Sequence, residues 1–247
     1  MTRRRRVVFR PFSLIYFALL GILFTLTFIA ATSSLRDLLV RGVGLPPEAF
    51  GFILVVSLVG STVNIPFTTV ESKVPVVTHR EVKFFFVKWR IPRVVTGVRR
   101  TLVTINLGGA VVPVLISIYL LLWSIPTSSP NIISTYTRTL VVLLVVAVLT
   151  HRNSRLVPGL GIATPAFGPP LTTAIIVFLV NWVSPLSCPT QVAYIGGTLG
   201  TLIGADLMNL GNLPELGAPV VSIGGAGTFD GIYITGLVSV FLVMLVI

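Results

Sequence analysis

Two aspartates stand where the chain can least accommodate charge. Of its seven acidic residues, only Asp206 and Asp230 are embedded in long apolar stretches. Asp37, Glu48, Glu71, Glu81 and Glu215 fall in segments read as loops or interfaces. An ionisable side chain deep in a bilayer costs about 2.5–3.5 kcal/mol on insertion scales, so its presence there marks function by default. Two carboxylates held together in a low-dielectric setting do not both ionise readily, and they share a proton. Such a pair suits hydrolysis, one carboxylate activating water while the other protonates the carbonyl or leaving group. It equally suits a proton-coupled carrier, loading and releasing a proton as a cavity alternates. A structural role, in a non-catalytic membrane assembly or lipid-binding protein, stands beside both: Asp230 caps the helix it starts, and Asp206 hydrogen-bonds Asn209 or nearby backbone.

The residues around this pair repeat a theme of asparagine, glycine and proline. The runs are Asn64-Ile65-Pro66, Asn106-Leu107-Gly108-Gly109, Pro158 to Pro170, Gly204-Ala205-Asp206-Leu207-Met208-Asn209, and Gly224-Gly225-Ala226-Gly227-Thr228-Phe229-Asp230-Gly231. Irregular backbone at membrane depth is tolerated only where protein or a water-lined cavity satisfies its amides. Asn64, Asn106, Asn209 and Thr228 are therefore candidate hydrogen-bond partners of the aspartates. Gly204, Gly224, Gly225, Gly227 and Gly231 are candidates for backbone that approaches a ligand closely. The Gly224–Gly227 run entering a helix offers free amides to an anion. It is no dinucleotide fingerprint, since no strand is expected before it, and it lacks the lysine of a phosphate loop. For Gly196, Gly197 and Gly200 close helix packing suffices.

These motifs must be positioned by membrane helices. Of 247 residues 54% are hydrophobic and only 10% charged, with a mean hydropathy of +0.99. Soluble domains carry about a quarter charged residues, so soluble, disordered and fibrous classes are excluded. About 20 apolar residues span a bilayer core as a helix. Seven segments qualify, near Phe12–Ala31, Phe50–Val70, Thr101–Ser124, Ile132–Thr150, Pro170–Ser184, Val192–Leu210 and Thr228–Ile247. The first is too long, and Ala31-Thr32-Ser33 too poor a cleavage site, for a signal peptide, so an uncleaved span is expected. With the N-terminus inside, fifteen of the eighteen Lys and Arg residues lie on the cytoplasmic side, as the positive-inside rule requires. The expectation is an all-α multi-pass protein of the cell membrane, N-in and C-out, forming one integral domain over 1–247. All five polar clusters then gather at the cytoplasmic helix ends.

Residues 71–100 depart from the helical pattern. Val74–Thr78 and Val82–Ile91 read as two strands turning at His79-Arg80, a small cytoplasmic β-hairpin inserted between the second and third helices. Its lysines and arginines among Phe84, Phe85, Phe86 and Trp89 suit anionic lipid headgroups at residues 73–100, each charge contributing about 1 kcal/mol. A loop that only enforces topology is the alternative. On so apolar a chain the net charge of +11 is membrane-orienting rather than a nucleic-acid footprint. His79 and His151 are expected to be solvated loop residues without a partner at metal-ligand spacing. Cys188, the single cysteine, lies in an outer turn and suggests no thiol nucleophile. No metal or cofactor is expected.

Two resemblances follow from these motifs. GTLIGADLMNL and GAPVVSIGGAGTFDGIYITGLVSVFLV, with STVNIP, TINLGGAVVP and VPGLGIATPAFGPP, resemble the signature of a prokaryotic family of polytopic membrane proteins of unknown function, over most of the chain. Gly227-Thr228-Phe229-Asp230 is also similar to the Gly-x-Gly-Asp helix start of presenilin-type and signal-peptide-peptidase-type intramembrane aspartyl proteases. That resemblance implies catalytic roles for Asp206 and Asp230 on an inward helix and the next outward helix. Phe229 replaces the second glycine of that pattern, Ala205 precedes Asp206 where an aromatic residue is usual, and no Pro-Ala-Leu segment follows.

Overall fold

The computed structural model describes the backbone of residues 14–84, 87–157, 161–213, 217–225 and 231–247, with side chains described throughout these except 14–18, 72–96 and 99. Most of the described chain is helical, in seven helical segments. Helix α1, Leu14–Asp37, runs on into a π-helical turn, Leu38–Val43. Helix α2 is Ala49–Gly60. A third segment, Leu107–Ser128, contains α3 (Val112–Tyr119) and α4 (Ile125–Ser128) joined by π turns. Then come α5 (Ile132–Asn153), α6 (Gly168–Val183), α7 (Pro189–Thr201) and α8 (Gly231–Val246). Three segments, Leu19–Val43, Leu107–Ser128 and Ile132–Asn153, are long and apolar enough to cross a membrane. From Leu19 to Ile29, helix α1 leaves its leucines, isoleucines and phenylalanines exposed on every side, the surface expected of a helix solvated by lipid.

Helix directions alternate. Gly196, Gly200 and Gly204 of the α7 segment meet Val142, Val146 and Ala147 of α5 in ascending order, so those two helices are parallel. Helix α8 runs against α7, since Gly236 packs on Thr198 and Tyr194 while Ser239 donates to the Ala193 carbonyl at 3.2 Å. Arg138 at the start of α5 donates to the Ser184 carbonyl (3.1 Å), the Pro185 carbonyl (2.9 Å) and Ser184 Oγ (2.7 Å), which closes the α5–α6 pair at one end. At that same end Gly44 lies against Ser124 and Gln191. A core of Leu39, Val43, Leu120, Val142, Val146, Val177, Tyr194, Tyr233 and Val240 fills the bundle.

The opposite end is built from strands. Strands β1 (Asn64–Phe84) and β2 (Val87–Asn106) form one long antiparallel hairpin, with rungs from Asn64–Asn106 to Phe84–Val87. Strand pairing thus extends well beyond the expected Val74–Thr78 and Val82–Ile91. His79 and Arg80 sit within the ladder opposite Pro92 and Ile91, and pairing continues to the Phe84–Val87 rung. At about 3.3 Å per residue the hairpin is roughly 65–70 Å long, more than a bilayer is thick. It takes residues 64–70 and 101–106 from the expected second and third spans. Those stretches are apolar, but rich in Thr, Val and Ile, which pack well on a pleat; hydropathy alone does not separate the two states. Prolines 66, 75 and 92 are tolerated because β1 is an edge strand and β2 is paired on its far side only over Leu102–Ile105; a residue without an N–H is confined to such edges.

Two further pieces complete this end. Strand β5 (Val220–Ile223) pairs in parallel with Leu102–Ile105, and Thr101 Oγ1 donates to the Ala218 carbonyl at 2.7 Å. Strands β3 (Arg155–Val157) and β4 (Gly161–Ala163) form a short antiparallel pair after α5. Val103, Ala110, Leu213, Ala218, Val221 and Ile223 make a second small core beneath the sheet. The chain is mostly helical as expected, while the expected small hairpin is corrected to a long one, joined by a parallel third strand and accompanied by the separate β3–β4 pair.

Candidate functional site

Asp206 closes a π-helical turn, Leu202–Asp206, that continues α7. Its geometry begins with Gly204, which lies flat on the α5 backbone, where a Cβ would collide with the Ala147 carbonyl. The chain then tightens into a 3-10 turn, Leu207–Asn212. Changing helix type releases carbonyls from their usual donors, and Asn209 answers two of them: its Nδ2 donates to the Ala205 carbonyl at 2.8 Å and to the Gly204 carbonyl at 3.3 Å. Asn212 Nδ2 donates in turn to Asn209 Oδ1 at 3.4 Å. Asn209 is therefore a backbone clamp that fixes the segment carrying Asp206.

The carboxylate accepts a backbone bond from across the chain. Gly224 N–H donates to Asp206 Oδ2 at 3.2 Å, a charge-assisted contact when the acid is ionised. Gly224 and Gly225 have φ of +82° and +83°, the left-handed region that other residues enter at a cost. Gly224 also seats on Ala110, where a Cβ would lie 2.5 Å from its methyl group and 2.7 Å from its nitrogen. Both the angle and the fit require glycine.

Asn106 organises a second polar knot beside the first. Fully buried, it caps the segment Leu107–Val111 by accepting from Gly109 N–H at 2.7 Å. Its Nδ2 donates to the Ser61 carbonyl at 2.7 Å and to Asn64 Oδ1 at 3.2 Å. Ser222 Oγ donates to the same Asn64 oxygen at 2.7 Å. Asn64 and Asn106 form the last rung of the hairpin, and Gly108 lies so close to the end of α2 that a Cβ would strike the Ser57 carbonyl. Strand β5 leads from Ser222 in one knot to Gly224 in the other.

Asp206, Asn209, Asn106, Asn64, Gly204 and Gly224 are thus gathered at one end of the bundle. Gly231, the first residue of α8, has Thr164 as its neighbour, 3.9 Å from the position of a Cβ. Asp230, Thr228 and Gly227 lie outside the described residues, as do the side chains of residues 73–96. Ser61 and Ser222 were not anticipated; both contribute through loops or strands that hydropathy does not resolve. The hydroxyls of Tyr194, Thr198 and Thr201 were also missed. Their signal was present, a polar spacing of three and four along an apolar helix, but the glycines between them drew the packing interpretation.

The remaining reactive residues behave differently from expectation in one case. His151 lies in the last turn of α5, half-buried, with Nδ1 enclosed and unpaired, not in a solvated loop. Asp37, expected at an interface, is the last residue of α1 and pairs with Arg41 at 3.6 Å on the exposed surface. Cys188 immediately precedes α7 and is 2% exposed; burial pushes its thiol pKa up.

Residues 58–242 match a family model whose description is Protein of unknown function (DUF1614). No curated protein and no solved structure matches the chain.

Proposed function

The chain belongs to the DUF1614 family of proteins of unknown function, and from that premise we propose that it is a multi-pass protein of the cell membrane in which Asp206 and Asp230 form a paired-aspartate hydrolytic centre. The observation that carries the reading is the Gly224 N–H bond to the Asp206 carboxylate, because that strand end continues within six residues to Asp230. Depth along the helices agrees with it. From the crossing of Thr198 with Gly236, Asp206 is eight residues further along the α7 segment, and Gly231, the first residue of α8, is five residues back. At about 1.5 Å per residue these are roughly 12 and 7.5 Å toward the same end, and the shallower rise of a π turn narrows the difference.

One carboxylate would activate water and the other protonate the carbonyl or leaving group. Asp206 is half-buried at the rim of the bundle beside exposed Leu207, Met208 and Leu210, which suits a substrate arriving from within the bilayer. Asn209 holds the carboxylate's own segment, while Asn64 and Asn106 hold the strands that deliver Gly224. The sequence Gly227-Thr228-Phe229-Asp230 adds its similarity to intramembrane aspartyl proteases. In this reading the hairpin end faces the cytoplasm, and the lysines and arginines of residues 73–100 meet anionic headgroups.

A proton-coupled carrier is the second reading, favoured by the hydroxyls enclosed along α7. Reconstituted wild type, Asp206→Asn and Asp230→Asn, screened for peptide cleavage and for ion-driven uptake, separates the two. Cleavage lost in both variants while folding is retained supports the hydrolase. Cleavage that survives either substitution overturns it.

A further inference from the structure

Helix α7 is the most enclosed element of the bundle, with every residue from Val192 to Thr198 buried. An enclosed helix packed by α5, α6 and α8 is expected to be apolar all round. Instead it carries Gln191, Tyr194, Thr198 and Thr201. Their spacing of three, four and three residues keeps them on one narrow stripe, whose next position in an unbroken α-helix is residue 205. The segment does not stay α-helical. The π turn Leu202–Asp206 inserts one extra residue per turn, so Asp206 takes the place that Ala205 would have held. The stripe therefore ends on the carboxylate.

The hydroxyls of this stripe are handled unlike most others in the bundle, Thr150 of α5 excepted. Thr173, Ser117, Thr139 and Thr235 each return their hydroxyl to the carbonyl four residues earlier, the ordinary way to satisfy such a group inside a helix. Tyr194 OH, Thr198 Oγ1 and Thr201 Oγ1 are fully enclosed and none makes that backbone bond; Tyr194 and Thr198 instead face each other along the stripe. Ser57 Oγ of α2, also fully buried, faces Tyr233, which in turn neighbours Tyr194. An enclosed hydroxyl without a partner costs about 1–3 kcal/mol, and helices in lipid normally avoid leaving several together. At the far end of the stripe Gln191 lies against Gly44, near Ser124, and accepts from Thr190 at 2.9 Å.

We propose that this stripe is a water-binding proton path linking the Gln191 end of the bundle to Asp206. Its length, fifteen residues at about 1.5 Å each, is roughly 22 Å and covers most of a bilayer core of about 30 Å. At each step a hydronium passes one proton to a hydroxyl oxygen, and that hydroxyl releases its own proton to the next water. At the end an O–H bond forms on the Asp206 carboxylate as the last hydronium becomes water. On α5, which packs against the turn carrying Asp206, the titratable and charged groups at that end are His151 and Arg152. The path does not rest on the hydrolytic reading, since proton movement and bond cleavage are measured separately.

The full chain in liposomes containing a trapped pH dye, with a potassium gradient and valinomycin as the driving force, tests it. Wild type should acidify the lumen faster than protein-free vesicles. Thr198→Val and Thr201→Val, which keep shape and remove the hydroxyl, should each slow the flux roughly five- to a hundred-fold, the equivalent of losing one such hydrogen bond. Thr198→Ser and Thr201→Ser should conduct like wild type. Thermal unfolding of each variant in detergent confirms that the bundle is intact. Flux equal to that of empty vesicles, or Thr→Val variants that fold and conduct like wild type, overturns the path.

Discussion

Replacing Gly224 by alanine isolates the contact on which the site is built. The residue has φ of +82°, and a non-glycine residue there costs about 1–2 kcal/mol. Its new methyl group would fall 2.5 Å from the Ala110 methyl and 2.7 Å from the Ala110 nitrogen, so either the turn or the helix start must move. Overpacking of this kind costs about 1–3 kcal/mol. Moving the turn also weakens the bond from Gly224 N–H to Asp206 Oδ2. A total of about 2–5 kcal/mol corresponds, on the scale of 2–4 °C per kcal/mol for a chain of this size, to a midpoint lowered by roughly 5–20 °C. The chain supplies its own probe, because Cys188 is its single cysteine and is buried. A thiol-reactive dye in detergent therefore reports unfolding. Gly211→Ala is the control, since no neighbour lies within 4 Å of its Cβ position, and it should shift the midpoint by less than about 2 °C. Equal midpoints for Gly224→Ala and wild type would refute the packing and the turn together.

The other predictions concern the groups around this contact. Asn106→Ala leaves Gly109 N–H and the Ser61 carbonyl without their buried partner and should destabilise by about 2–4 kcal/mol, read by the same dye. Asp206→Asn keeps an oxygen for Gly224 N–H, so the midpoint should move by no more than about 1 kcal/mol equivalent while cleavage is lost. Arg138→Ala removes three bonds between α5 and the end of α6 and should lower the midpoint without altering cleavage below it. Burial raises the Cys188 thiol pKa, so less thiolate is present near pH 8 than in a free thiol. Native labelling should be slow there and accelerate as pH rises toward the raised value, whereas unfolded protein should label at the rate of an exposed cysteine.

The sequence made the solvent legible because apolar composition is a bulk property, insensitive to register or turn geometry. The clustering of Asn64, Asn106, Gly204, Asp206, Asn209 and Gly224 was likewise readable, since polar and glycine-rich interruptions of membrane helices need one another to satisfy backbone. Helix boundaries were not. Residues 64–70 and 101–106 are as apolar as helix, and only their long-range pairing and the parallel addition of Val220–Ile223 make them strands. Pairing across forty or a hundred residues leaves no local periodicity to detect. The extra residue in the turn Leu202–Asp206 was hidden for a similar reason: it is a property of how Gly204 packs on Ala147.

Cross-linking tests the aspartate pair most directly. In a Cys188→Ser background, Asp206→Cys and Asp230→Cys are combined in one chain and treated in native membranes with a bifunctional thiol reagent that spans about 5 Å. Gly42→Cys with Met244→Cys, neighbours in the bundle, serves as the positive control. The paired-aspartate account predicts that 206 and 230 join as completely as the control. Free thiols at both positions, in membranes where the control pair is joined, would contradict it.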